Sequence, residues 1–181
     1  MRITSCCLFA FFVSTGCGEG AGDTADAGVP TIFINEIVPS NATGLEDNGT
    51  YPDWLELYNP GAAAVDLAGW TLTDDPANQL KWTFTTGATV PAKGYLVVIA
   101  DSDDEGDLHT NFNLEQTGEY VGLYAPLADG GVLVDSIDYP AVATDYAYGR
   151  MPDGDPSWAV LAPPTPGAAN RLDEQPAGGA R

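Results

Sequence analysis

Asp101, Asp103, Glu105 and Asp107 place four carboxylates at every second position of a short run that also holds Gly106. Alternating carboxylates with a glycine at the sixth position follow the first half of a calcium-binding loop. Calcium takes about six to eight oxygen ligands, and shared coordination relieves the repulsion between neighbouring carboxylates. Position twelve of such a loop falls on Phe112, where a bidentate glutamate is needed. A calcium site here is therefore expected to be weak, at roughly 10⁻⁴–10⁻³ M. The other reading of the run is a solvated acidic loop after a strand.

A second group is Glu36, Glu56 and Arg150. Alternation puts Glu56 on one strand face with Trp54 and Tyr58, and Glu36 with Ile34 and Val38. A buried carboxylate needs a partner, and Arg150 is one of few cations. An ion pair of Arg150 with Glu56 or Glu36 is expected, as an internal brace rather than an acid–base pair. His109 is the only histidine and every cysteine lies at or before Cys17, so no typical structural zinc site can be assembled. No nucleophile elbow or phosphate loop is present. These residues give no catalytic set, no required cofactor and no sign of an enzyme.

Cys17 carries different chemistry. Arg2, the apolar run Leu8–Val13 and the small residues Ser14-Thr15-Gly16 precede it, as in a secretory leader. The Gly16-Cys17 junction resembles the lipobox of bacterial lipoproteins, with Ser14 where that family usually has Leu. The resemblance implies cleavage after residues 1–16 and lipid on Cys17, which would hold the chain on a membrane; the other reading of the leader is a plain secreted protein. Gly18, with no Asp at that position, suits sorting to the outer membrane of a bacterial cell envelope. The apolar run is too short to span a bilayer, which takes about 20 residues. Residues 17–30 then read as the lipidated cysteine and a flexible tether with a span of about 20 Å.

All three cysteines fall in this leader region, so the remaining chain must be stable without disulfides. The full chain carries 26 acidic residues against six basic ones. The leader removes only Arg2 from that balance. Such a charge repels polyanions, so nucleic acid is not an expected partner. A divalent cation, or an unidentified protein or glycan bound with its help, is.

These residues must be positioned by residues 31–171, long enough for one core. Strand patterns dominate: Thr31–Val38, Asp53–Asn59, Gly69–Asp74, Leu80–Phe84, Gly94–Ala100, Glu119–Ala125 and Val132–Tyr139. The nearly continuous apolar run in Gly94–Ala100 predicts a central strand buried on both faces. Asp129-Gly130-Gly131 predicts a hairpin turn. Trp54, Trp70, Trp82 and Trp158 are assigned to core packing. Short strands, frequent turns and no sustained helical period predict an antiparallel β-sandwich. Residues 172–181 read as a disordered tail.

An ordered series of segments supports this fold. It runs Ile34-Asn35-Glu36-Ile37, Asp53-Trp54-Leu55-Glu56-Leu57-Tyr58-Asn59-Pro60, Val65–Asp74 with Gly69-Trp70, Val90–Val98 and Gly118–Tyr124. Tyr148-Gly149-Arg150, Pro152-Asp153-Gly154, Trp158 and Pro164–Asn170 close it. The series resembles the bacterial lamin-tail domain, an immunoglobulin-like sandwich, across nearly all of residues 31–171. The resemblance implies a non-catalytic module of secreted and surface proteins.

Overall fold

The structure is a computed structural model and describes residues 28–103 and 106–172. The leader, Cys17, most of the tether, Glu105 and residues 173–181 lie outside the described residues.

Eleven strands form the described chain: β1 Phe33–Val38, β2 Asp53–Tyr58, β3 Val65–Asp66, β4 Thr71–Thr73, β5 Trp82–Thr83, β6 Thr89–Val90, β7 Tyr95–Ala100, β8 Tyr120–Tyr124, β9 Leu133–Asp138, β10 Ala147–Arg150 and β11 Trp158–Leu161. They build a five-stranded sheet in the order β11-β10-β1-β2-β7 and a four-stranded sheet in the order β5-β4-β8-β9. A two-stranded ribbon pairs β3 with β6. Every named strand pair is antiparallel. The fold is an all-β, immunoglobulin-like antiparallel sandwich.

The core follows from side-chain alternation. Leu55 and Leu57 on β2 and Val98 on β7 meet Leu72 on β4 and Val121 and Leu123 on β8 in one buried cluster. On β1 the register shifts between Ile34 and Glu36. This bulge lets Ile34 and Ile37, three positions apart, both enter the core. It also corrects the expected face of Glu36, which shares the outer face with Val38 and not with Ile34.

Turn residues set the connections. Gly118 has φ +96°, and a Cβ there would lie 2.5 Å from the Tyr139 carbonyl oxygen, so the chain needs glycine at the entry to β8. Between β8 and β9 a short 3₁₀ turn, Leu127–Asp129, ends on Gly130 at φ +91°. This is where the Asp129-Gly130-Gly131 signal predicted a hairpin.

The structure revises the reading of β7. It is the edge strand of its sheet, and only its second half is buried. Its free edge is partly covered because the Ile99 N–H donates to the Leu108 carbonyl and the Thr110 N–H donates to the Ile99 carbonyl. An apolar run reports burial, not position in the sheet, so it could not separate these cases.

Of the four tryptophans, Trp70 and Trp82 lie in the main core. Trp158 is half-buried and stacks on Tyr148 with centroids 5.2 Å apart. Trp54 is buried on the opposite face of the sheet, in a smaller cluster with Val38, Ile99, Ala147 and Leu161. That outer face is closed by a strap, Pro163–Asn170, which follows β11 and bonds to both β1 and β2. Proline cannot extend a ladder, and the strap accordingly crosses the sheet without forming a strand.

Candidate functional site

The acidic run sits where β7 ends. Asp101 forms an isolated bridge with Asn113, and Ile99 forms one with His109. These two bridges bring His109 and Asn113 back alongside the end of β7. His109 Nδ1 lies 2.7 Å from Asp101 Oδ2 and 3.7 Å from Asp103 Oδ1, while its Nε2 lies 3.7 Å from Asp47 Oδ2. One ligand atom from each of Asp101, Asp103 and His109 falls within 4.8 Å of the others. Beside them a cavity of about 450 Å³ is lined by Asp53, Asp101, Asp103 and Asn113 together with Thr50, Tyr51 and Pro52.

The electrostatics of this end are strongly acidic. Burial pushes the Asp53 carboxyl up to about 6, opposed by backbone N–H groups of Asn41 and Leu114 and reinforced by the Glu115 charge. For His109, burial favours the neutral ring. The Asp101 hydrogen bond and the charges of Asp101, Asp47 and Asp103 outweigh that and raise its pKa. When protonated, His109 is a counter-ion to these carboxylates, and a divalent cation would compete with that proton.

Only part of the predicted calcium set converges. Asp101 and Asp103 join the cluster, but Asp107 accepts a hydrogen bond from the Thr85 hydroxyl at 2.8 Å instead. Glu105 lies outside the described residues. Phe112, at the would-be twelfth position, is buried in the main core. With this apolar ring at the twelfth position, no ligand closes the set there, so the pattern of a calcium loop is not completed. The member that sequence reasoning passed over is His109. Its neighbour Asp101 is eight positions away, and only the two bridges bring them together.

The Arg150 pairing is also revised. Its partner is Asp135 on β9, not Glu36 or Glu56. Arg150 Nη2 donates to both Asp135 carboxylate oxygens at 2.9 and 3.0 Å. Its Nε donates to the Ile34 carbonyl and its Nη1 to the Asp155 carbonyl. The Ile34 N–H in turn donates to Asp135 Oδ2. The guanidinium is covered by the rings of Phe33 and Trp158, 5.0 and 4.7 Å from their centroids. The physical reason is the β1 bulge. The paired register of β1 with β10 runs through Glu36 and Ile37, and the Ile34 polar groups are met by Arg150 and Asp135 instead. A brace exists, and it joins the two sheets.

Glu36 and Glu56 sit on the outer face, directly opposite one another on β1 and β2, and both are fully buried. The Thr165 N–H donates to Glu36 Oε1 at 2.9 Å, and the Gly167 N–H donates to Glu56 Oε2. Asp153 lies close enough to act on both. Its own Oδ1 accepts from Asn35 Nδ2 and the Asn170 N–H, and its Oδ2 accepts from the Tyr95 hydroxyl. Burial pushes Glu36 up to about 7 against the Thr165 N–H, and pushes Glu56 up to about 8 against the Gly167 N–H and the Asn35 side chain. These carboxylates hold the strap in place.

Lipidation at Cys17 falls outside the described residues. Among the described residues no helix is long and apolar enough to cross a membrane.

A family model, the Lamin Tail Domain, matches residues 25–141. That span includes β1 through β9, and β10, β11 and the strap complete the sheet beyond it. Searches of curated proteins and of solved structures return no match. The matched family is a non-enzymatic, immunoglobulin-like domain that serves as a structural or interaction module. With a match over more than half its length, the chain belongs to the lamin tail domain family.

Proposed function

We propose that this chain is a surface-anchored lipoprotein of the bacterial cell envelope that presents its lamin-tail sandwich as a non-catalytic interaction module. The observation that carries this reading is the pairing of a Gly16-Cys17 leader junction with a match to the Lamin Tail Domain. Lipid on Cys17 would supply the membrane contact, because a chain with 26 acidic residues against six basic ones is repelled by anionic lipid headgroups. The same charge argues against nucleic acid as a partner. The tether would hold the sandwich clear of the membrane with its loops facing outward. The test is metabolic labelling of the full chain with a fatty acid in a bacterial host. Label on the wild type and none on Cys17→Ser is expected; equal label on both sinks the reading.

A second reading is favoured by one feature, the convergence of Asp101, Asp103 and His109. In it, the loop end binds a divalent cation weakly and recruits a protein or glycan partner through it. Calcium suits the carboxylates, whereas His109 in the set favours a borderline ion such as zinc. Thermal unfolding with added calcium, with zinc and with chelator separates these cases. No shift with either ion removes this reading.

A further inference from the structure

The strap is fastened at three places: Thr165 on Glu36, Gly167 on Glu56, and Asn170 on Asp153, Asn35 and Arg150. Thr165 Oγ1 lies 3.1 Å from Glu36 Oε2 and 3.0 Å from Asn170 Oδ1. A threonine hydroxyl has one hydrogen to give. The orientation of the Asn170 amide is fixed, because its Nδ2 donates to the carbonyls of Asn35 and Arg150 at 3.1 and 2.8 Å. Asn170 Oδ1 is therefore an acceptor and takes the Thr165 hydrogen. The remaining contact between Thr165 Oγ1 and Glu36 Oε2 is then one hydrogen short, unless Glu36 itself carries a proton and donates it.

The surroundings favour that proton. Glu56 faces Glu36 across the strand pair, and Asp153 acts on both. Two adjacent carboxylates resist double ionisation. Glu56 Oε1 is buried with no close hydrogen-bond partner, and the Asn35 side chain supports this carboxyl only weakly, which is costly for a full charge. From β7, Tyr95 faces this group and is held by Asp153, with Tyr58 stacked against its ring. Arg150, on the neighbouring β10, is committed to Asp135 on the other side. The strap segment Pro163–Asn170 contains no titratable side chain.

We propose that Glu36, with Glu56 opposite, is a proton-dependent latch for the strap: the protonated pair holds Pro163–Asn170 down, and loss of the proton lifts it. Lifting uncovers Trp54, which lines a cavity of about 330 Å³ together with Pro163, Pro164 and Pro166. The sandwich itself stays closed, because its main core lies on the other face of the sheet. Segments held by few buried contacts open at lower free energy than the core.

Hydrogen exchange followed by mass spectrometry on the full chain tests this, corrected for the intrinsic pH dependence of exchange. Between pH 6 and pH 9, peptides covering Leu161–Arg171 are expected to lose protection by about tenfold or more, the equivalent of one pKa unit. Peptides from β2 and β7 should keep theirs. Glu36→Gln offers a neutral donor to Thr165 and should keep the strap protected at pH 9. Unchanged strap protection in the wild type overturns the latch, as does parallel loss in strap and core. An unaltered pH response in a folded Glu36→Gln protein overturns it as well. Should that variant fail to fold, the wild-type series alone decides.

Discussion

Arg150 on β10 and Asp135 on β9 join the two sheets of the sandwich through an ion pair in which Nη2 alone meets both carboxylate oxygens, at 2.9 and 3.0 Å. Neither strand is hydrogen-bonded to the other, so this pair and the Ile34 backbone groups between them form a polar bridge through one side of the molecule. Its side chains are 8% and 12% exposed, which makes the loss of one partner expensive.

Arg150→Ala is expected to destabilise the domain by about 3–5 kcal/mol, because it strands the buried Asp135 charge. Asp135→Ala should cost a similar amount by leaving the guanidinium unpaired. Urea unfolding of each variant checks this. A loss below about 1 kcal/mol in both would show that the bridge is not a fastener.

Stability should fall as pH rises through the range set by the strap carboxylates. In the folded chain, Glu36 and Glu56 are raised from 4.5 to about 7 and about 8. Between about pH 4.5 and pH 8 the folded state therefore binds more protons than the unfolded state. Stability is then highest near the acidic end and declines towards pH 8. Asp53, raised to about 6, acts in the same direction. Urea midpoints at pH 5 and pH 8.5 measure the effect, and Glu36→Gln with Glu56→Gln should flatten it. A midpoint that rises with pH would contradict the burial argument.

Gly149→Ala is expected to cost about 1–3 kcal/mol by overpacking. A Cβ at that position would meet Leu161 Cδ1 at 2.5 Å and Asn170 Nδ2 at 2.8 Å. The Asn170 amide would be pushed off the carbonyls of Asn35 and Arg150, so the variant should also raise hydrogen exchange in the strap. Wild-type stability and exchange would mean that the strap packs more loosely than these distances require.

At the acidic end, about 10 mM calcium is expected to raise the melting temperature by a few degrees, as a site with Kd near 10⁻³ M contributes about 1.4 kcal/mol. Asp101→Asn with Asp103→Asn should abolish the rise. An identical rise in that variant would place the ion elsewhere.

The sandwich was legible because alternation, turn residues and tryptophans all report local chemistry. Leu55 and Leu57 against Trp54 and Glu56 could be assigned to opposite faces of β2 from sequence alone. That the outward face is also buried was not legible, because the cover comes from Pro163–Asn170, more than a hundred residues away. The same distance hid the role of Glu36 and Glu56, whose partners are one threonine hydroxyl and backbone N–H groups, which every residue but proline carries. Arg150 could be recognised as a brace from the scarcity of cations. Its partner could not, since Asp135 became available through a bulge on a third strand. The Asp101–His109 contact depends on an isolated pair of bridges with no periodic signal.

The claim that this lamin tail domain is carried on a membrane by lipid is met most directly by fractionating cells that express the full chain. The wild type should sediment with membranes, resist extraction by high salt and enter solution only with detergent, while Cys17→Ser should be recovered in the soluble fraction. Salt-extractable wild type, or Cys17→Ser still held in the membrane fraction, would contradict the account.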